Sequence, residues 1–190
     1  MMRVSLVRHG PTHARGLIGW SDVPADLSDR KALARLDEFL CPDGVVVSSD
    51  LRRATATADA IAGKRMRLPH EAALREIHFG AWEGQVHSQI ADQKRLRAFL
   101  ETPGACHAPG GESWHQFTAR VHGVIDRLIA AHRGRDLHIV AHFGVVLAQL
   151  QRALALDAQT AMAYRIDPLS ITQLVFTTAG WRCAYINHCP

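Results

Sequence analysis

No stretch of this 190-residue chain approaches the roughly 18 consecutive apolar residues that a membrane-spanning helix needs, so no membrane partner is expected. Cysteine is scarce. Cys41, Cys106, Cys183 and Cys189 are scattered without a CxxC pair or a disulfide rhythm, and reduced thiols in a cytoplasm are the expectation. The chain opens directly in a strand pattern, with no apolar leader core or small-residue cleavage site, so no secretory signal is expected. Twelve histidines raise the question of a metal, but there is no HExxH, no zinc-finger spacing and no acidic cluster. Neither a metal nor a cofactor is expected. Aromatics make up only 6% of the chain, and the basic residues behind its net charge of +4 form no stripe interleaved with them, so no nucleic-acid partner is expected. A small anionic substrate satisfies the same charge. Repeats, low-complexity tracts and linkers are missing too, which leaves one domain over residues 1–190 and no marker of oligomeric state.

What is present is an alternation of two periods. Strand patterns fall at about 3–7, 44–47, 66–69, 137–141, 170–176 and 181–186, the last two joined by a hairpin over 177–180. Helical patterns run from Ser28 to Leu40, Asp50 to Ala62, Ser88 to Leu100, Ser113 to His132 and Val145 to Leu154. Asp50 and Ser113 read as N-caps, Gly63 and Gly134 as stops. This order predicts an α/β three-layer sandwich around a mostly parallel sheet. Residues 76–113 break the alternation and are rich in Gly and Pro, which suits a lid or side wall over the strand ends. Within it, Pro109-Gly110-Gly111-Glu112-Ser113 reads as a turn leading into a helix cap. Trp20, Trp82 and Trp114 read as packing residues.

Three apolar runs end in polar or cationic residues. Val4 to Val7 leads into Arg8-His9-Gly10, Val45 to Val47 into Ser48-Ser49-Asp50-Leu51-Arg52-Arg53, and Leu137 to Ala141 into His142-Phe143-Gly144. Ligands in open α/β sheets bind beyond the carboxyl ends of the strands, so these three ends would build one oxyanion pocket. Phosphate monoesters resist hydrolysis strongly, and enzymes must remove more than about 20 kcal/mol of barrier. Transfer to a protein nucleophile divides that step, and a neutral imidazole suits the task. His9 has the setting for it, with Gly10 allowing close approach of the backbone. Arg8 and Arg53 would fork phosphate oxygens, although either member of the Arg52-Arg53 pair alone could be a solvated helix residue. His142 could donate to a transferring oxygen, helped by free N–H groups at Phe143 and Gly144 if a helix starts there. Glu76, placed just after a strand, is the candidate proton donor and acceptor.

Taken together, these motifs resemble the histidine phosphatase superfamily, also called phosphoglycerate-mutase-like. The resemblance rests on Leu6 to Thr12, Ile18 to Asp22 with Leu27-Ser28, Ser48 to Ala54 with Thr57-Ala58, Leu74 to Gly84, Pro109 to Ser113, and Val140 to His142. It implies a phosphoglycerate-mutase-like fold, His9 as phosphorylated nucleophile, Glu76 as proton donor, and Arg8, Arg53 and His142 around the phosphate, with no metal. It prefers Arg53 over Arg52, because Arg53 directly precedes Ala54. Thr12, Arg15, Gly19 and Gly144 complete the set as substrate-binding candidates. Phe143 stands where a second small residue is usual and is expected to narrow the pocket or reposition its loop. Pro11 stands where an acidic residue is frequent, Arg15 where an Asn often assists phosphate, and the early helix lacks the usual glycine and Gln-Ala pair. The short interval between Glu76 and His142, with few cations beyond Lys94, Arg95 and Arg97, favours hydrolysis over mutase chemistry. The expected activity is a phosphoric monoester hydrolase acting on a small phosphorylated substrate, closest to the α-ribazole-phosphate phosphatase branch, with a sugar phosphate nearly as plausible. A phosphoglycerate mutase and a non-catalytic phospho-ligand-binding protein are the alternatives.

Overall fold

The computed structural model describes residues 1–190, and all six strands join one sheet. Those strands are β1 (Met2–Arg8), β2 (Val45–Ser48), β3 (Met66–Arg67), β4 (Leu137–Ala141), β5 (Ile171–Thr177) and β6 (Gly180–His188). Their spatial order is β3-β2-β4-β1-β5-β6, parallel from β3 to β1 and antiparallel for β5 and β6. The near-continuous apolar runs of β1, β2 and β4 follow from this arrangement, since central parallel strands are buried on both faces.

The helices are α1 (Arg30–Phe39), α2 (Arg52–Ile61), α3 (Gln93–Glu101), α4 (Trp114–Ala131), α5 (Phe143–Ala153) and α6 (Ala158–Met162). Alternate strand residues feed two separate cores. Val4, Leu6, Val47 and Ile139 pack with α3, α4 and α5, while Val7, Val46 and Val140 pack with α1 and α2. That is the three-layer sandwich expected from the alternation. Residues 76–113 contribute Trp82, Ile90, Leu96, Phe99 and Ala108 to the larger core, so this segment is packed wall. No helix is long and apolar enough to cross a membrane.

Several boundaries differ from expectation, each for a physical reason. Ser113 caps α4 as expected, its hydroxyl accepting from Gln116 N at 3.2 Å while Gln116 returns a bond to Ser113 N at 2.9 Å. Asp50 does not cap α2. Its carboxylate is held by Arg75 at 2.8 and 2.6 Å, and Asp22 from a distant loop accepts from Arg52 N instead. Residues 28 and 29 lie ahead of α1, whose cap is Asp29. Residues 87–89 form a separate 3₁₀ turn before α3, and α6 has no counterpart in the periodicity because it is a single short turn capped by Asp157.

Candidate active site

The parallel register brings the expected ends together. Arg8 lies opposite Ala141, His9 N donates to Ala141 O at 3.0 Å, and Ser49 N donates to Val140 O at 3.1 Å. The carboxyl ends of β1, β4 and β2 therefore open side by side. α2 starts beyond β2 and puts Arg53 in its first turn, while α5 starts beyond β4 directly after His142.

A cleft of about 240 Å³ forms there, lined by Arg8, His9, Thr12, Arg53, Glu76 and Phe143 among others. His9 is buried, and its Nδ1 lies 2.7 Å from Gly10 O. A carbonyl can only accept, so Nδ1 carries the proton and Nε2 keeps its lone pair. Arg53 Nε donates to that lone pair at 3.2 Å. Burial, reinforced by the Arg53 and Arg8 charges, holds the His9 pKa down at about 3. The ring is thus a neutral base at any ordinary pH.

Arg53 is 1% exposed and anchored from behind, its Nη2 donating to Gly19 O at 2.6 Å and its Nη1 to Ser21 O at 2.8 Å. The loop that offers those carbonyls is tied by Glu83, whose carboxylate accepts from the backbone N–H groups of Gly19, Trp20 and Ser21 and from the Ser21 hydroxyl. Gly19 therefore serves the site through its carbonyl from behind the cleft. It has no room for a side chain, since a Cβ there would run into Ile77 O. Arg8 donates to Ile166 O at 2.6 Å and sits 5.4 Å from the Phe143 ring centroid.

Glu76 is buried beside the cleft, and burial raises its pKa above the ordinary carboxylate value against the pull of two backbone donors and two arginines. Those donors are Ile77 N and Gly144 N, each at 2.9 Å. The expectation of a free Gly144 N–H for substrate is therefore corrected: α5 does begin there, but Glu76 occupies that donor. Glu76 also does not follow a strand directly, because β3 ends at Arg67 and a 3₁₀ turn over 72–74 intervenes. His142 is fully buried behind His9, with ring centroids 5.1 Å apart and neither ring nitrogen partnered in the protein. Burial, then the neighbouring His9 and arginines, holds it neutral. Thr12 lines the cleft. Arg15 is exposed and is not among the residues that line it.

Four positioning groups escaped the sequence reading. The Glu76 carbonyl accepts from Trp20 Nε1 at 2.9 Å and from Arg120 Nη2 at 3.2 Å, and Arg120 is itself paired with Glu112. Glu112 also accepts from His78 N, so the Pro109–Ser113 turn does more than start a helix. Thr57 links Gly10 N to the Arg53 carbonyl. Trp20 was read as packing, and its indole N–H gives it this further part. No three His, Cys, Asp or Glu side chains gather closely enough to hold a metal ion.

Known proteins share this arrangement of elements across nearly the whole chain. The chain is 30% identical over 161 residues to phosphoglycerate mutase-like protein 4 of Arabidopsis thaliana, covering 79% of this chain and 70% of that one. A mycobacterial glucosyl-3-phosphoglycerate phosphatase superposes with a TM-score of 0.84 at 27% identity over 98% of both chains. The α-ribazole phosphatase of Shigella flexneri does so with a TM-score of 0.83 at 25% identity, over 98% of this chain and 96% of that one. Residues 4–188 match the family model for branch 1, and the chain belongs to the histidine phosphatase superfamily.

Proposed function

We propose that this protein hydrolyses a small phosphate monoester, such as α-ribazole phosphate or a sugar phosphate, through a phosphohistidine on His9 and without a metal. One observation carries the reading. The proton of His9 is committed to Gly10 O, so its basic Nε2 faces Arg53 in a cleft that Glu76 also lines. In the first step the phosphate displaces the Arg53–His9 hydrogen bond, and the guanidinium turns from nitrogen to phosphate oxygen. Nε2 forms a bond to phosphorus as the phosphorus–oxygen bond to the organic group breaks, and Glu76 gives its proton to the departing oxygen. Water then attacks phosphorus with Glu76 taking its proton, the phosphorus–nitrogen bond breaks, and phosphate leaves. Arg8, Arg53 and the neutral His142 ring supply the charge and hydrogen bonds that a transferring phosphoryl group needs. Thr12 contacts the ester from the cleft wall. The four unpaired cysteines support a reducing compartment such as a cytoplasm.

Turnover of an aryl phosphate in excess chelator, with an acid-labile phosphoenzyme trapped in the wild type and lost in His9→Ala, is the expected result. Undiminished turnover by His9→Ala would falsify the reading. Mutase chemistry is favoured by the names of relatives, the plant protein and Salmonella probable phosphoglycerate mutases among them, and by no feature of the cleft. It requires exchange between 3- and 2-phosphoglycerate that outpaces phosphate release.

A further inference from the structure

We infer that the organic group of the substrate is apolar, an alkyl or aryl chain seated in a second cleft beside the phosphate site; this rests on the phosphatase reading above and narrows its substrate class away from the sugar phosphates named there. The second cleft has a volume of about 380 Å³, in the range that holds small organic molecules. It shares Leu17, Glu76, Phe79 and Phe143 with the phosphate cleft, so the two adjoin, with Glu76 in the wall of both. The departing oxygen would sit beside Glu76, and a carbon skeleton attached to it can extend from there into the second cleft, away from Arg8 and Arg53.

The chemistry of the walls selects the occupant. Phe99, Trp114, Leu147 and Met162 line this cleft as well, and Glu76 is the one charged side chain among its lining residues. The Trp114 indole N–H is already given to Gln151 at 2.8 Å. A sugar would exchange hydroxyl–water hydrogen bonds for contact with aromatic and aliphatic walls, at a penalty of about tenfold or more in affinity per unsatisfied hydroxyl. A phosphoglycerate carboxylate would meet no cation there. An alkyl or aryl group instead gains by leaving water.

The test is the kcat/KM of the wild-type protein for ethyl, butyl and hexyl phosphate. Their parent alcohols differ little in acidity, so intrinsic reactivity is held nearly constant while apolar length grows. Each methylene that enters the cleft should raise kcat/KM about threefold to fourfold, and glycerol phosphate and 3-phosphoglycerate should fall below butyl phosphate. Leu100 stands at the rim, 38% exposed, where a substitution is compatible with folding. Leu100→Lys should cut the hexyl-to-ethyl ratio about tenfold by placing a solvated charge at the mouth of the cleft. A flat chain-length series with intact phosphohistidine chemistry overturns the apolar assignment and leaves the phosphatase standing. A ratio unmoved by Leu100→Lys overturns the choice of cleft, and failure to hydrolyse any monoester overturns both readings.

Discussion

At the scale of single residues, His9 and Glu76 have been moved in opposite directions by the same cause. Burial penalises whichever form carries charge, so it lowers the imidazole and raises the carboxyl. Phosphoryl transfer to nitrogen needs the first deprotonated and the second protonated, and this pair meets both demands between the lowered pKa of His9 and the raised pKa of Glu76. The expected profile follows from those signs. The acid limb belongs to His9 and lies near 3, so kcat/KM, corrected for the ionisation of the ester, should keep at least half its maximum at pH 5, where an ordinary imidazole with a pKa of about 6.5 is mostly protonated. The alkaline limb belongs to Glu76, whose proton is lost above its raised pKa, and Glu76→Gln should remove that limb together with most of the rate. The quantity to follow is kcat/KM, which reports ionisations of the free protein, once the limb from the ester's own second ionisation near 6 is divided out. An acid limb centred near 6.5 would show that His9 titrates as an exposed histidine and does not have the role assigned to it.

At the scale of elements, the start of α5 decides where Glu76 points. Gly144 N is one of the unpaired donors of that helix, and the Glu76 carboxyl takes it. A Cβ at Gly144 would run into this carboxyl and close on the Phe117 ring, so Gly144→Ala should push Glu76 off the helix end. The expected loss in kcat is tenfold or more for an alkyl phosphate, whose departing oxygen needs the proton. It should be much smaller for 4-nitrophenyl phosphate, whose departing oxygen does not. Equal losses on both esters would mean that Gly144 serves packing alone. Much of this was readable from the chain. The strands β1, β2 and β4 announce themselves as apolar runs, and the cationic or histidine residues that follow them lie where parallel strand ends put ligands. The ties behind the site were not readable, because they join residues far apart in sequence. Asp50 looks like a helix cap until Arg75, 25 residues on, claims its carboxylate. Glu112 looks like part of a turn until Arg120 folds back onto it. Gly19 and Arg15 stand four positions apart and are both substrate-binding candidates, yet one meets Arg53 through its carbonyl and the other faces solvent, a difference only the path of the loop decides.

At the scale of the whole molecule, the burial that prepares the site leaves a liability in acid. His9, His138 and His142 are all buried, and burial holds each below the ordinary histidine value. Once pH falls below about 6.5 the unfolded chain binds protons on these rings that the folded chain refuses, so folding stability is fully present above that value and declines beneath it. For His9 the decline continues to about 3. Each ring contributes up to about 1.4 kcal/mol per pH unit, so three together erode about 4 kcal/mol per unit where all are engaged, against a total of roughly 5–15 kcal/mol for an ordinary domain. Glu76 acts in the other direction, since its raised pKa means the folded state holds a proton that the unfolded state has released, but it is one group against these three and His122, which burial also lowers. Urea midpoints should therefore fall steeply between pH 6.5 and 4.5, while the molecules that remain folded keep their turnover. His138 lies outside the cleft, with its Nε2 3.1 Å from Cys41 O, so it isolates the effect from catalysis. His138→Gln should make the slope of stability against pH shallower below pH 6.5. A slope that His138→Gln leaves unchanged would mean that His138 takes up its proton in the folded state, while a midpoint that holds level from pH 7 to 5 would mean that all these rings do, and the neutral His9 on which the chemistry depends would go with them.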